Sequence, residues 1–179
     1  MIDPTPGAPA SRGASADLHT ERLILVALTP KLARTALEDR EGLGRKLGAR
    51  IPETWPGADF ARMLPRIAGV SGASIAAYTR LIVHAGDRTL IGEAGFHGPP
   101  DKTGTVEIGY SIVPEYRGRG FASEATKALI SAAFTSPSIN RIVAECLDDN
   151  RASLRILEKL GMRRVGSADD TVRFELRRA

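Results

Sequence analysis

The sequence predicts one α/β (α+β) domain built around a mixed central sheet. At 179 residues the chain has the length of one ordinary domain. Short apolar runs typical of strands alternate with segments rich in helix formers, and the strand-like runs, about six or seven of them, outnumber the helical ones. The pattern therefore favours a central sheet flanked by helices.

The chain begins with a polar segment. Residues 1–17 consist of Pro, Gly, Ala, Ser and a few charged residues, with almost nothing to bury. Ordering such a segment has an entropic cost that no buried surface offsets. We therefore expect a disordered leader at 1–17 and a folded domain at 18–179.

The folded elements follow in order. The apolar run at 22–28 predicts a strand, and a helical pattern extends from residue 30 to about 48, where a Gly-rich segment interrupts it. Residues 51–58 read as an exposed loop containing the only tryptophan, Trp55. Gly86 and Asp87 predict a hairpin turn. Further elements are strands within 80–96 and at 105–114, 139–147, 162–167 and 171–178, and helices at 59–70, 122–134 and 151–160.

Composition limits the classes of function. Lys plus Arg exceed Asp plus Glu by 25 to 21, and the scattered basic residues favour an anionic small ligand over nucleic acid. One cysteine, Cys146, cannot form an intrachain disulfide, and the scattered His19, His84 and His97 predict no metal site. No apolar run reaches the roughly 20 residues that span a bilayer. We expect a cytoplasmic protein without nucleic-acid or membrane partners, and a homodimer stays open.

The junction between the strand at 105–114 and the following helix has an unusual composition. Arg117, Gly118, Arg119 and Gly120 form the Arg-Gly turn, in which two residues cannot pack and two are hard to bury. A helix N-terminus offers free backbone N–H groups, glycines allow close approach, and arginines add charge, which together suit a pyrophosphate. The alternative is a solvated turn with surface arginines.

Two common phosphate motifs do not account for the Arg-Gly turn. A Walker loop requires a Lys followed by Ser or Thr after its glycines, and no Lys stands at that offset. The run from Gly118 half-matches a dinucleotide fingerprint, but Ser123 occupies the third Gly position. A nicotinamide-dependent oxidoreductase is thus a weak alternative.

The sequence resembles a known family at this point. VEIGYSIVPEYRGRGFASEATKAL and RIVAECLDDNRASLRILEKLGMRRVG are similar to the GNAT superfamily of acyl-CoA-dependent N-acyltransferases. With TERLIL at 20–25, IGEAGFHG at 91–98 and NRASLRILEKLGM at 150–162, they resemble the ribosomal-protein N-terminal acetyltransferase (RimJ/RimL-like) branch. The resemblance spans about 19–178 and implies the GNAT fold, with a mostly antiparallel mixed sheet.

The resemblance implies a set of residues that bind acetyl-CoA. Arg117, Gly120 and Ala122 match the family's pyrophosphate loop, whose backbone N–H groups would come from about 118 to 122. The preceding strand would pair with the pantetheine arm of the cofactor. The implied cofactor-binding residues are Ser111, Ile112, Val113, Arg117, Gly118, Arg119, Gly120, Phe121, Ala122, Asn150 and Ser153. Asn150 also suits a helix N-cap, and a neutral first-turn residue is the alternative for Ser153.

The resemblance also implies catalytic groups for acyl transfer to an amine. Related enzymes use a Glu at the position of Glu107, often through water, so Glu107 is the candidate base; the alternative is an exposed strand glutamate. A backbone N–H near Val113 is the expected oxyanion donor. Many family members carry a Tyr acid where this chain has Leu157. Ser153 is the first candidate to replace this acid, and Tyr110 and Tyr116 are the second choices. Alternatively, the thiolate leaves without an acid.

The sequence therefore predicts an N-acetyltransferase that moves an acetyl group from acetyl-CoA to a primary amine directly, in a ternary complex. The acceptor is a protein N-terminus or a small-molecule amine. The alternative is a non-catalytic acyl-CoA-binding module, which the leucine at 157 favours. Cys146 reads as a buried small side chain, and Trp55 either lines the acceptor pocket or fixes a loop to the core.

Overall fold

The computed structural model describes residues 16–70 and 78–178. In these two stretches helices and strands alternate much as the sequence predicts. The strands are β1 (Leu18–His19), β2 (Leu23–Ala27), β3 (Thr79–His84), β4 (Thr89–Phe96), β5 (Thr105–Ile112), β6 (Arg141–Leu147), β7 (Arg163–Ala168) and β8 (Thr171–Arg177), and the helices are α1 (Pro30–Glu38), α2 (Arg40–Leu47), α3 (Ala58–Gly69), α4 (Phe121–Ala133) and α5 (Arg151–Lys159).

The strands form one sheet in the order β1-β2-β3-β4-β5-β6-β8-β7. Neighbouring strands pair antiparallel except β5 and β6, which are parallel. The mixed, mostly antiparallel sheet is confirmed. It has eight strands in the described residues rather than six or seven, because β1 is two residues long and too short to show an alternating pattern.

The predicted helix at 30–48 is in fact two helices, with the break at Asp39. The Asp39 side chain accepts a hydrogen bond of 2.7 Å from the Gly42 N–H and so caps α2. A Cβ at Gly42 would lie 2.0 Å from the Asp39 carboxylate, so glycine permits the cap. The Gly-rich segment therefore continues a helix instead of interrupting one.

The loop at 51–58 is not uniformly exposed as predicted. Trp55 is 1% exposed and its ring packs against Phe60 at the start of α3. Arg40 donates to the carbonyl oxygens of Trp55 and Pro52, which fixes this loop to α2. Burial of the indole therefore joins α2, α3 and the sheet in one core.

The predicted leader lies outside the described residues except for its last two. The Ala16 carbonyl oxygen accepts a hydrogen bond from Arg80, and Asp17 accepts one from the Ala27 N–H. Among the described helices, none has the length and apolar character needed to cross a membrane.

Candidate active site

Strands β5 and β6 are paired over only the first part of their length. Their parallel register joins Thr105–Glu107 of β5 to Arg141–Val143 of β6 and then ends. Beyond Glu107 a cavity of about 190 Å³, here called the gap, opens between the two strands. It is lined by Ile108, Gly109, Tyr110, Ala144, Glu145, Cys146, Asn150, Ser153 and Leu157.

The other side of β5 is fully paired with β4, and the register is regular. The Glu107 carbonyl accepts from the His97 N–H at one end, and the Val113 N–H donates to the Ile91 carbonyl at the other, both at 2.9 Å. Alternate residues of an antiparallel strand direct their backbone groups to opposite sides. Odd-numbered residues of β5 therefore bond to β4.

The even-numbered residues Tyr110 and Ile112 direct their backbone N–H groups towards the gap. Ser111 and Val113 do not, because their backbone groups belong to the β4 side. The oxyanion donor near Val113 stays a prediction; because the N–H of Val113 itself is bonded to Ile91, the donor would be the N–H of a neighbouring residue. Among the three strand residues implied to follow the cofactor, Ile112 has the suitable backbone direction.

The Arg-Gly turn closes the end of β5 and begins α4. Gly118 and Gly120 have φ values of 74° and 82°, a left-handed conformation that favours glycine. Gly120 is the N-cap residue of α4 and provides no side-chain cap. The first N–H groups of the helix, at Phe121 and Ala122, are consequently left for an external acceptor.

The two arginines of the Arg-Gly turn have different surroundings. Arg117 Nε donates to the Ile112 carbonyl at 2.8 Å, which ties the turn to the end of β5. The Arg119 guanidinium lies 5.2 Å from the centre of the Tyr116 ring. Both residues are exposed. Within the described residues neither forms a salt bridge, so their charge is available to an anion.

Sequence reasoning missed Arg22, which lies between β1 and β2 and contacts the Arg-Gly turn. Arg22 forms a salt bridge of 2.7 Å with Glu124 in the first turn of α4 and donates to the Arg119 carbonyl. Thr20 also donates to Glu124, at 2.6 Å. Neutralising this carboxylate removes a repulsion for an anion at the helix N-terminus. About a hundred residues separate the partners, so no local pattern could indicate them.

On the α5 side of the gap, Asn150 acts as the N-cap that its position suggests. Its Oδ1 accepts from the Ser153 N–H at 3.1 Å. The neighbouring Tyr110 hydroxyl is buried, has Ser153 as its polar neighbour, and forms no well-aligned hydrogen bond among the described residues. Burial raises the pKa of Tyr110. Leu157, 1% exposed, packs behind them.

Tyr116, the other tyrosine considered as an acid, is occupied elsewhere. Its hydroxyl donates to Asp87 at 2.6 Å, and its ring packs against His84 and Phe121. It does not line the gap. Of the two tyrosines, the structure brings only Tyr110 together with Ser153.

Glu107 stands where the pairing of β5 and β6 ends. Its carboxylate is 39% exposed, and its Oε1 lies 3.2 Å from His97 Nδ1. The carboxylate does not itself line the gap, although Gly109, two residues further and on the same face of β5, does. The strand alternation that predicted this face from the sequence is correct.

A second carboxylate on this face was missed. Glu93 of β4 lies opposite Ser111 and is 6% exposed. Burial raises its pKa to about 7, against the opposing effect of hydrogen bonds from Trp55 and Ser111. The Trp55 indole donates to it at 2.8 Å. A lone charge inside the apolar run of β4 was the sequence signal for this site.

Cys146 is not the buried side chain predicted. It is half-buried and lines the gap beside Tyr110. Burial raises the pKa of its thiol, so the nucleophilic thiolate is disfavoured near neutral pH. This side chain is thus poorly suited to carry an acyl group.

Comparison with known proteins identifies the class to which this split sheet belongs. The family model described as the acetyltransferase (GNAT) domain matches residues 22–163. The protein is therefore an acyltransferase. It belongs to the GNAT family of acetyltransferases. The sheet does not have the parallel order of a dinucleotide-binding fold, so the oxidoreductase alternative is wrong.

Individual relatives agree with this family. An N-acetyltransferase of Bacillus subtilis, YjdG, itself described as uncharacterized, is 31% identical over 148 residues, which cover 80% of this chain and 88% of the relative. RimL, a ribosomal L7/L12 alpha-N-protein acetyltransferase solved with coenzyme A, has a TM-score of 0.64 at 16% identity, over 90% of this chain and 98% of RimL. It represents the branch that the sequence resembles.

A third structure, the microcin C7 self-immunity acetyltransferase MccE, was solved with acetyl-CoA and AMP. It has a TM-score of 0.62 at 16% identity and covers 88% of this chain and 93% of MccE. At such identities the two solved structures establish the shared fold.

Proposed function

We propose that the protein transfers the acetyl group of acetyl-CoA to a primary amine by direct transfer in a ternary complex. The observation that carries this proposal is the gap between β5 and β6, together with the Arg-Gly turn that is tied to the end of β5 through Ile112. The turn offers free helix N–H groups to a pyrophosphate, and the gap offers polar side chains to a thioester. The acceptor is a protein N-terminus or a small-molecule amine.

The residues of the gap fit a pantetheine arm. Tyr110 and Ile112 present backbone N–H groups along one edge, as a strand does when it accepts an added strand. The Tyr110 hydroxyl is a buried polar atom that forms no well-aligned hydrogen bond among the described residues, and a polar group of the donor can satisfy it. Gly118, Gly120, Phe121 and Ala122 would hold the pyrophosphate through their backbone.

Direct transfer is supported by the state of the only cysteine. The raised pKa of Cys146 disfavours a covalent acyl intermediate. The acceptor amine must instead be neutral and lie beside the donor when the carbon–nitrogen bond forms. Glu107 lies just before the gap, where the β5–β6 pairing ends, and is the candidate base. Ser153 and Tyr110 line the gap and are the candidates for returning a proton to the leaving thiolate.

The family assignment does not favour the alternative of a non-catalytic acyl-CoA-binding module. Leu157, which first suggested that module, is part of the core behind the gap. A proton donor is still present, because the raised pKa of Tyr110 keeps its hydroxyl protonated at neutral pH. We also propose a cytoplasmic location, which suits a chain with a single thiol.

The test is thiol release from acetyl-CoA at pH 8 against peptide N-termini, polyamines, amino acids and aminoglycosides, together with thermal unfolding with and without acetyl-CoA. Release with one acceptor class supports the proposal and identifies the substrate. Stabilisation by acetyl-CoA without release from any acceptor contradicts the transfer reaction while retaining the donor site. Absence of both effects contradicts the donor site as well.

A further inference from the structure

The carboxylate at the end of the β5–β6 pairing has an imidazole beside it. His97 directly follows β4, and its backbone N–H donates to the Glu107 carbonyl at 2.9 Å. Its side chain lies on the same face, with Nδ1 3.2 Å from Glu107 Oε1. The two side chains are 48% and 39% exposed, so the pair is reachable from solvent. His97 and Glu107 thus form a histidine–carboxylate dyad.

The second ring nitrogen of His97 is directed over the rim of the gap. A Cβ built on Gly109 would lie 2.7 Å from His97 Nε2, so the imidazole occupies the space that a side chain at 109 would fill. Gly109 itself lines the gap. The ring therefore has Nδ1 towards the carboxylate and Nε2 above a residue of the candidate active site.

The other charged group on this face has a different environment. Glu93 is separated from the dyad along the sheet by the directly paired Gly95 and Gly109. It is buried and engaged by the Trp55 indole, and therefore has no accessible position from which to accept a proton from an amine. The His97 imidazole is half-exposed beside the gap, so it is better placed than Glu93 to accept a proton from an amine.

We propose that His97 Nε2 accepts the proton of the acceptor ammonium and that Glu107 is the positioning residue that holds Nδ1. The inference rests on the proposed function. After His97 takes one proton, the neutral amine forms the nitrogen–carbon bond and the carbon–sulfur bond breaks. The second amine proton balances the leaving thiolate, which becomes the free thiol, and His97 releases the first proton to solvent. A carboxylate beside an imidazole orients the ring and fixes which of its nitrogens carries the proton.

The experiment compares His97→Gln, Glu107→Gln and the wild type in initial rates from pH 5.5 to 9.5, with the best acceptor from the panel. General acid–base catalysis typically contributes about 100- to 10,000-fold. We expect His97→Gln to lower kcat/KM for the amine at least about 100-fold near neutral pH, with a smaller defect towards pH 9.5, where more of the amine is already neutral. The KM for acetyl-CoA should remain within about twofold. The control is His19→Gln, a change at an exposed histidine on the edge strand β1.

Glu107→Gln distinguishes positioning from direct proton transfer. If Glu107 acts through His97, its loss should cost less than that of His97 and should lower kcat while leaving the KM for acetyl-CoA unchanged, because Nε2 can still accept a proton but the ring loses the group that orients it. Gly109→Ala should displace the ring and reproduce part of the His97→Gln defect. Thermal unfolding and acetyl-CoA binding of each variant separate these effects from misfolding.

The outcomes separate the two proposals. An unchanged profile in His97→Gln, with Glu107→Gln inactive, overturns the inference in favour of a carboxylate base and leaves the proposed function standing. Equal defects in both variants, or a raised KM for acetyl-CoA in Glu107→Gln, also contradict the assigned roles. If the wild type transfers acetyl to no amine, the proposed function and the inference fail together.

Discussion

The two edges of β5 differ in one respect that defines the site. On the β4 edge the register is unbroken from Glu107 to Val113, while on the β6 edge pairing stops at Glu107. The same residues therefore contribute both to the core and to an unpaired edge. A buried backbone group without a partner costs about 1–3 kcal/mol. An edge left open beside a cavity is thus better explained by a ligand than by packing.

Filling the gap is the most disruptive test of this contrast. Ser153→Trp places a large ring in a cavity of about 190 Å³, so we expect the affinity for acetyl-CoA to fall at least about 1,000-fold. Isothermal titration calorimetry measures it. Glu158→Trp, at an exposed position of the same helix, is the matched control and should retain binding. Equal binding by both variants would contradict the location of the site.

A change on the β4 side of β5, at Glu93, should alter the stability of the protein and not its binding of acetyl-CoA. The pKa of Glu93 is raised from 4.5 to about 7, so the folded state retains a proton that the unfolded state loses between these values. The folded protein should therefore lose up to about 3 kcal/mol of unfolding free energy as pH rises from 4.5 to above 7. Urea unfolding of Glu93→Gln should show a correspondingly smaller loss over this range. Parallel pH curves for wild type and variant would refute the buried carboxylate.

The Arg-Gly turn provides a smaller test of the donor site. Gly120→Ala puts a side chain at a φ of 82°, which should cost about 1–2 kcal/mol of stability and weaken acetyl-CoA binding roughly tenfold. Gly161→Ala has a similar backbone strain, at a φ of 75°, in a position remote from the turn. It should lose comparable stability and bind acetyl-CoA as the wild type does. Weakened binding in both would point to a general loss of folding.

The smallest expected effect concerns Glu124, whose contacts with Thr20 and Arg22 support the Arg-Gly turn. Hydrogen bonds from Thr20 and Arg22 lower the pKa of Glu124 against the opposing effect of burial. Its contribution to stability is therefore present above about pH 4.5 and is lost as pH falls through the lowered value. Glu124→Gln should cost about 1 kcal/mol at pH 7 and less in acid, as measured by urea unfolding. A cost independent of pH would contradict the ion pair.

Local patterns predicted the elements that depend on neighbouring residues. The hairpin around Gly86, the strand β5 and the N-cap Asn150 are examples, because turn chemistry, alternation and capping act over a few residues. The resemblance to GNAT proteins predicted the order of the site along the chain.

The missed features depend on distant contacts. Glu93 meets Trp55 across 38 residues, and Arg22 meets Glu124 across 102. The break at Asp39 was also missed, since Gly42 looked like an interruption until its contact with the cap was known. The end of the β5–β6 pairing is a property of two strands, so neither strand alone could indicate it.

The most direct test is residue-resolved amide hydrogen exchange with and without acetyl-CoA. If the donor pairs with the open edge of β5, protection should increase at the N–H groups of Tyr110 and Ile112. The Val113 N–H, already bonded to Ile91, should change much less. Unchanged exchange at Tyr110 and Ile112 under saturating acetyl-CoA would contradict the central claim that the gap is the donor site.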